Sequence, residues 1–199
     1  MPKKFVLGAV LSLKALTGYA GEHWTLETQH DSWHAQWDFN ARPLTTADGM
    51  PSKIGWLIQP RIHRLDVFGS VGRFSGTQGV DVGFAQITHL VSMARDLKQM
   101  ILRGYSRHPS TKIKFIVVTK QSGPGNYQAD IPLDTHVQTF TFEPADFAFY
   151  VRGRLVPNAP IVNFDDVQRV GFLVTRSSQG DGGGESIPFD FSLLLGEAF

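Results

Sequence analysis

The chain contains no cysteine, which rules out disulfide staples, thiolate nucleophiles and cysteine zinc sites and leaves packing to hold the fold together. It also lacks a dominant charge: 19 basic and 18 acidic side chains give a net charge of +1, and no basic stripe of the kind that neutralises a phosphate backbone stands out. Nucleic acid is not an expected partner. Neither a Gly-x-Gly-x-x-Gly fingerprint nor a Walker-type lysine loop occurs, so no nucleotide cofactor is expected. Long hydrophobic runs are missing too. The stretch Phe5–Leu13 is ended by Lys14, well short of the ~20 residues that cross a bilayer.

Catalytic constellations are equally scarce. The Ser-Gly candidate Gly72-Arg-Phe-Ser-Gly76 lacks the spacing that puts a serine on a nucleophile elbow and reads as strand and turn. His30 and His34, with Asp31 between them, offer no third ligand, and strand alternation starting at Trp33 opposes the helix they would need. The acid pairs Asp165-Asp166, Glu143/Asp146 and Asp181/Glu185 sit in turn-like sequence, where capping is the expected role rather than acid–base work. The Gly-Asp-Gly-Gly-Gly-Glu loop has carboxylates and carbonyls suited to calcium, but a single unrepeated loop is a weak signal. No metal, cofactor or catalytic residue is assigned, and the chain is expected not to be an enzyme.

What is present is period-two alternation. At 42% apolar and 19% charged residues the composition is that of a folding globular domain. Trp33, Ala35, Trp37 and Phe39 alternate with His34, Gln36 and Asp38, placing aromatics on one sheet face. Ile54, Trp56 and Ile58 repeat this after an Asp48-Gly49-Met50-Pro51 turn, and Ile187, Phe189, Phe191, Leu193 and Leu195 do so most clearly. Further strands are expected at 62–68, 72–76, 82–88, 112–119, 126–133, 137–142 and 169–175. Gly- and Pro-rich turns such as Gln121–Asn126 separate them. About ten short strands without regular helix alternation point to an all-β fold, an antiparallel jelly-roll β-sandwich over residues 23–199. The 90–104 segment suits a helical turn at Ser92–Leu97 followed by a strand.

Residues 1–22 differ in character, with Lys3, Lys4 and Lys14 and no acid before Glu22. They read as an N-terminal leader or helical extension. Both a secretory signal ending at Gly18-Tyr19-Ala20 and a basic mitochondrial presequence fit.

The stretch Tyr150-Val-Arg-Gly-Arg-Leu-Val-Pro-Asn-Ala-Pro160 reads as a rigid irregular connection whose guanidinium forks can grip carboxylates or carbonyls, either of a partner or of a neighbouring acidic turn. Its Arg-Gly-Arg, Val156 and Ala159-Pro160, the following Phe164–Val174 turn and strand, and the upstream Phe74-Ser-Gly76, Gly83-Phe84-Ala85, Leu102-Arg103-Gly104 and Tyr127-Gln128-Ala129 resemble the complex I intermediate-associated protein family. The family's Gly-Gly-x-Ser element is replaced here by Pro-Ser-Lys-Ile-Gly after Asp48-Gly49-Met50. The resemblance implies a galactose-binding-like jelly roll acting as an assembly factor or accessory subunit of respiratory complex I. It further implies subunits of that complex or its intermediates as partners, a place on the matrix side of the inner mitochondrial membrane, and a peripheral membrane association. Partner-binding or loop-structuring residues are then Arg152, Gly153, Arg154 and Asn158, with Asp48 and Tyr127. The alternative is a secreted or periplasmic carbohydrate-binding jelly roll, since such folds stack sugars on aromatic side chains and Trp24, Trp33, Trp37 and Trp56 lie near the start, with alternation placing Trp33 and Trp37 in the core. An enzyme of unrecognised chemistry is the third class.

Overall fold

The protein is seen in a computed structural model that describes residues 23–24, 33–37, 49–50, 52–59, 62, 64–74, 83–91, 97–108, 112–175 and 186–198. In chain order the strands are β1 (His23–Trp24), β2 (Trp33–Trp37), β3 (Gly49–Met50), β4 (Lys53–Gln59), β5 (Arg64–Val71), β6 (Arg73–Phe74), β7 (Phe84–Leu90) and β8 (Met100–Ser106). They continue with β9 (Lys112–Thr119), β10 (Gly125–Ile131), β11 (Gln138–Phe142), β12 (Ala148–Val151), β13 (Arg154–Leu155), β14 (Val167–Thr175) and β15 (Ile187–Ala198). Sheet I has the order β11-β8-β15-β5-β4, with β1 alongside β15; sheet II has the order β13-β12-β10-β9-β14-β7-β2. Every pairing is antiparallel. The result is an all-β antiparallel jelly-roll sandwich.

Alternation decides which side chains enter the space between the sheets. Sheet I sends in Leu65 and Val67 from β5, Leu102 from β8, and Phe189, Phe191 and Leu193 from β15; sheet II answers with Ile113, Phe115 and Val117 from β9, Ala85 and Ile87 from β7, and Val170, Phe172 and Val174 from β14. Phe115 is the hub of a ring cluster, with centroids 5.4 Å from Phe142 and 5.7 Å from both Phe147 and Phe172. Phe172 in turn meets Phe191 of the opposite sheet at 6.1 Å. Each buried ring contributes ~2–3 kcal/mol from area removed from water.

The alternating stretches fall where the pattern placed them, with boundaries displaced by a few residues. Two elements differ. The 150–160 segment is not wholly irregular: β12 and β13 form a hairpin there, joined by Arg152 and Gly153 at φ 50° and 75°, the signature of a type I′ turn. Positive φ at both centres is natural for glycine and strained for arginine, so the pattern of apolar residues gave no hint of it. The helical turn expected at Ser92–Leu97 lies largely outside the described residues; Leu97 itself is buried and in no regular element. The leader at 1–22 also lies outside them.

Candidate functional site

The residues singled out in the sequence do not converge. Arg152 and Arg154 are exposed at the β12–β13 hairpin, and neither makes an ion pair among the described residues. Gly153 supplies the turn conformation, and Asn158 occupies a second left-handed position at φ 58°, one that asparagine tolerates. Tyr127 points into the core, its ring 4.8 Å from Phe149. Asp48 lies outside the described residues, as do His30, Asp181 and Glu185. The other acid pairs serve turns. Glu143 and Asp146 form a capping box around Pro144–Asp146, and Asn163 accepts from the Asp165 backbone N–H at 3.1 Å while donating to Asp166 at 3.2 Å. Among the described residues no group of three or more His, Asp or Glu could hold a metal ion.

Polar side chains gather instead on the outward parity of the strands. On sheet II the cross-strand registers place Gln128, Ile116, Gly171, Thr88 and His34 in one row. The next row reads Asp130, Lys114, Leu173, Gln86 and Gln36. Beyond Gln128 stand Asn126 and, on β12, Tyr150. The middle of this face is covered: Ile116 is 1% exposed, Leu173 and Gln128 7% and Thr88 8%, although Ile116 and Leu173 point away from the core cluster. At Gly171 a Cβ would sit 2.0 Å from the Ile87 carbonyl. His34 and Gln36 on the margin are exposed.

Around that floor the polar groups are pre-oriented. Gln86 Nε2 donates to Gln36 Oε1 at 2.7 Å, and Gln128 Nε2 donates to Asn126 Oδ1 at 2.8 Å. Lys114 Nζ lies 3.0 Å from Asp130 and 5.1 Å from the centre of the Tyr150 ring. Each amide keeps further donor and acceptor capacity after these bonds. From Gln128 on β10 to His34 on β2 spans four strand spacings, roughly 19 Å.

Sheet I presents another kind of face. Asp66 is buried on the outward side, where Ser192 Oγ and Gln59 Nε2 each donate to it at 2.5 Å and Arg64 Nε lies 3.1–3.2 Å from its two oxygens. One row away, Phe68 stands between Gly55 and Asp190. Asp190 pairs with Arg107, whose guanidinium also donates to Tyr105 Oη at 3.2 Å and lies 5.5 Å from that ring's centre. Partial burial works against the Arg107 charge, but the hydrogen bond and attraction of Asp190 outweigh it and leave the guanidinium pKa above its ordinary value.

No family model and no curated protein matches the chain. Solved structures do. In fold it is similar to carbohydrate-binding modules. One is the family 11 module from Clostridium thermocellum in complex with a β-1,3-1,4-mixed-linked tetrasaccharide, at TM-score 0.57 and 11% identity over 90% of this chain and 96% of that one. Another is the family 11 module of the cellulosomal cellulase Lic26A-Cel5E of the same organism, at TM-score 0.56 and 9% identity over 91% and 95%. At such identities the likeness speaks for the fold alone.

These findings correct the family reading. The resemblance to complex I intermediate-associated proteins is not supported, because no family model matches and the similar structures are carbohydrate-binding modules. With it go the complex I assembly role, the complex I subunit partners and the mitochondrial placement. The residues that carried it have a plainer cause. Arg152-Gly153 forms a hairpin turn, Phe164–Asp166 a 3-10 turn, and Gly171 a close backbone approach, features of backbone geometry rather than of binding.

Alternation already places Trp33 in the core, and no residue of these outward faces stood out in the sequence as a sugar contact. Trp33 is in the core and Trp56 packs against it, so neither is a stacking platform. A signal was available: Phe68 shares parity with Arg64 and Asp66 in β5, an aromatic on the polar side of its strand.

Proposed function

We propose that this chain is a non-catalytic carbohydrate-binding domain that acts outside the cytoplasm, secreted or periplasmic, and holds a polysaccharide chain along the outer face of sheet II. The observation that carries the reading is the pair of amide couples, Gln86–Gln36 and Gln128–Asn126, set on opposite sides of the Ile116–Gly171–Leu173 floor. A side-chain amide offers a donor and an acceptor together, the complement of two vicinal hydroxyls. Amides already bonded to each other have less rotamer freedom to lose on binding. Tyr150, half-buried beside Asn126, offers an aromatic edge to the C–H face of a pyranose ring. Fold likeness to carbohydrate-binding modules, one of them in complex with a mixed-linked tetrasaccharide, supports the same reading.

The test is affinity electrophoresis through gels containing mixed-linked β-glucan, xylan, galactan or mannan, followed by calorimetry with matching oligosaccharides. Retardation by at least one polymer is expected, reduced tenfold or more in Gln128→Ala/Gln86→Ala. Full retention of binding in that double variant would sink the assignment to sheet II, and no retardation by a broad glycan panel would sink the function.

A further inference from the structure

The opposite face carries the parts of a second binding site. Gly55 on β4 pairs with Phe68 on β5, and a Cβ built at Gly55 would lie 2.7 Å from Phe68 Cε2 and 3.0 Å from Cζ. The ring therefore leans over the glycine and occupies the space a side chain would take, the arrangement by which an aromatic covers a glycine in an edge strand. Covering the glycine explains the ring's position but not its exposure. Phe68 remains 47% exposed, and with Leu57 of β4, 51% exposed on the same side, it gives this face an apolar surface among polar groups.

On its other side Phe68 pairs with Asp190. Only one carboxylate oxygen of Asp190 is engaged, by Arg107; the other has no hydrogen bond among the described residues. Arg107 is 46% exposed in its side chain and Asp190 32%, so both reach solvent beside the ring. Tyr105 Oη, bonded to Arg107, extends the polar edge. Asp66, one row over, is of a different kind, buried with Ser192, Gln59 and Arg64 all bound to it.

We infer that Phe68, Asp190, Arg107 and Tyr105 form a second saccharide subsite, separate from the sheet II face, that takes a single neutral pyranose ring. This rests on the carbohydrate-binding reading above. A ring surface of this size stacks on the C–H face of one sugar, and the free carboxylate oxygen with the remaining guanidinium N–H groups complements one pair of vicinal hydroxyls. Because Asp190 and Arg107 are paired, the site has no net charge to select a uronate or an amino sugar. A flat platform without walls holds one ring weakly, so its use is avidity: two faces of one domain engage neighbouring chains of an insoluble glycan.

The experiment is a two-dimensional NMR titration of the full chain with methyl β-D-glucopyranoside, methyl β-D-galactopyranoside and methyl α-D-mannopyranoside at tens of millimolar, alongside depletion assays on insoluble polysaccharide. Shifts of the Phe68 and Tyr105 ring protons and of the Arg107 Nε–H are expected with at least one sugar, and they should persist in Gln128→Ala/Gln86→Ala. They should vanish in Phe68→Ala, return in Phe68→Tyr, and weaken in Gly55→Ala, where the new methyl displaces the ring without removing it. Depletion by insoluble glycan should fall about tenfold in Phe68→Ala. Shifts at Gln128 and Tyr150 with none at Phe68 or Tyr105 overturn the second subsite and leave the sheet II reading standing. Shifts at Phe68 and Tyr105 alone uphold it and overturn the sheet II assignment. Silence at both faces under all three sugars overturns the subsite, and the polysaccharide gels then decide the fate of the broader function.

Discussion

On sheet I the outward carboxylate of Asp66 is buried and binds Ser192, Gln59 and Arg64, whereas on sheet II the outward amides bond in couples and keep capacity to spare. Both faces are built by the same alternation, yet the first spends its strongest acceptor on the protein itself. A saturated carboxylate cannot serve a ligand, while a half-used amide can. The lesson is that polarity on a sheet face says little until each group's partners are counted. By that count Asp66 is structural and Asp190 is half engaged, while the sheet II amides keep spare bonding capacity, Gln36 in the open and Gln128 as buried as Asp66.

Breaking the structural member should produce the largest effect. Asp66→Ala would leave the Ser192 hydroxyl, the Gln59 amide and the Arg64 guanidinium facing an empty site, and a loss of about 3 kcal/mol in urea unfolding is expected. Glycan binding at sheet II should be untouched once the variant is folded. A loss below about 1 kcal/mol would mean that Asp66 is not saturated in solution and would erase the contrast between the faces.

Next come the two glycines that shape the faces. At Gly171 a Cβ meets the backbone carbonyl of Ile87 at 2.0 Å, whereas at Gly55 it meets the far end of the Phe68 side chain. Backbone cannot yield as a ring can, so Gly171→Ala should cost about 2–3 kcal/mol by forcing β14 and β7 apart. Gly55→Ala should stay within about 1 kcal/mol. Thermal unfolding of the two variants side by side measures the difference, and equal costs would show that β14 and β7 are less closely held than their register implies.

Smaller in stability but decisive for function is Gln128→Ala. It removes one amide of the Gln128–Asn126 couple, with an expected loss of about 1 kcal/mol in stability and about tenfold in affinity for whichever polysaccharide retards the chain. Gln128→Glu would restore an acceptor but not the donor, so affinity should recover only partly. Full recovery would show that the donor is idle.

Much of the fold was legible in the chain because burial has period two in a half-exposed strand. Phe189, Phe191 and Leu193 announce the core face of β15, and Trp33 that of β2. The β12–β13 hairpin was not legible, since its turn places an arginine at positive φ, against every steric preference that a sequence reader can use. The candidate sites were half legible. Parity alone puts Asn126, Gln128 and Asp130 on one side of β10 and Phe68 on the polar side of β5. What parity cannot supply is register: only the pairing of Gly171 with Ile116 and Thr88 joins β10, β9, β14, β7 and β2 into one floor with margins. Short turn motifs misled for the converse reason, as they report backbone geometry shared by many sandwiches.

The smallest effect belongs to Asp130→Ala. Asp130 is 81% exposed and pairs with Lys114 Nζ at 3.0 Å, a surface ion pair worth at most about 0.5 kcal/mol after solvent screening. Freed from it, the ammonium keeps its place near Tyr150, 5.1 Å from the ring centre, because its methylene stem is held by the sheet and the ring still attracts it. Unfolding at low and at high salt should therefore separate wild type from Asp130→Ala by a few tenths of a kcal/mol and no more. A double-mutant cycle with Tyr150→Leu should give a coupling of similar size. A coupling above about 1.5 kcal/mol would mean that Lys114, Asp130 and Tyr150 act as one desolvated unit, and sheet II would then resemble the Asp66 side of the molecule, with its polar groups committed to each other before any sugar arrives.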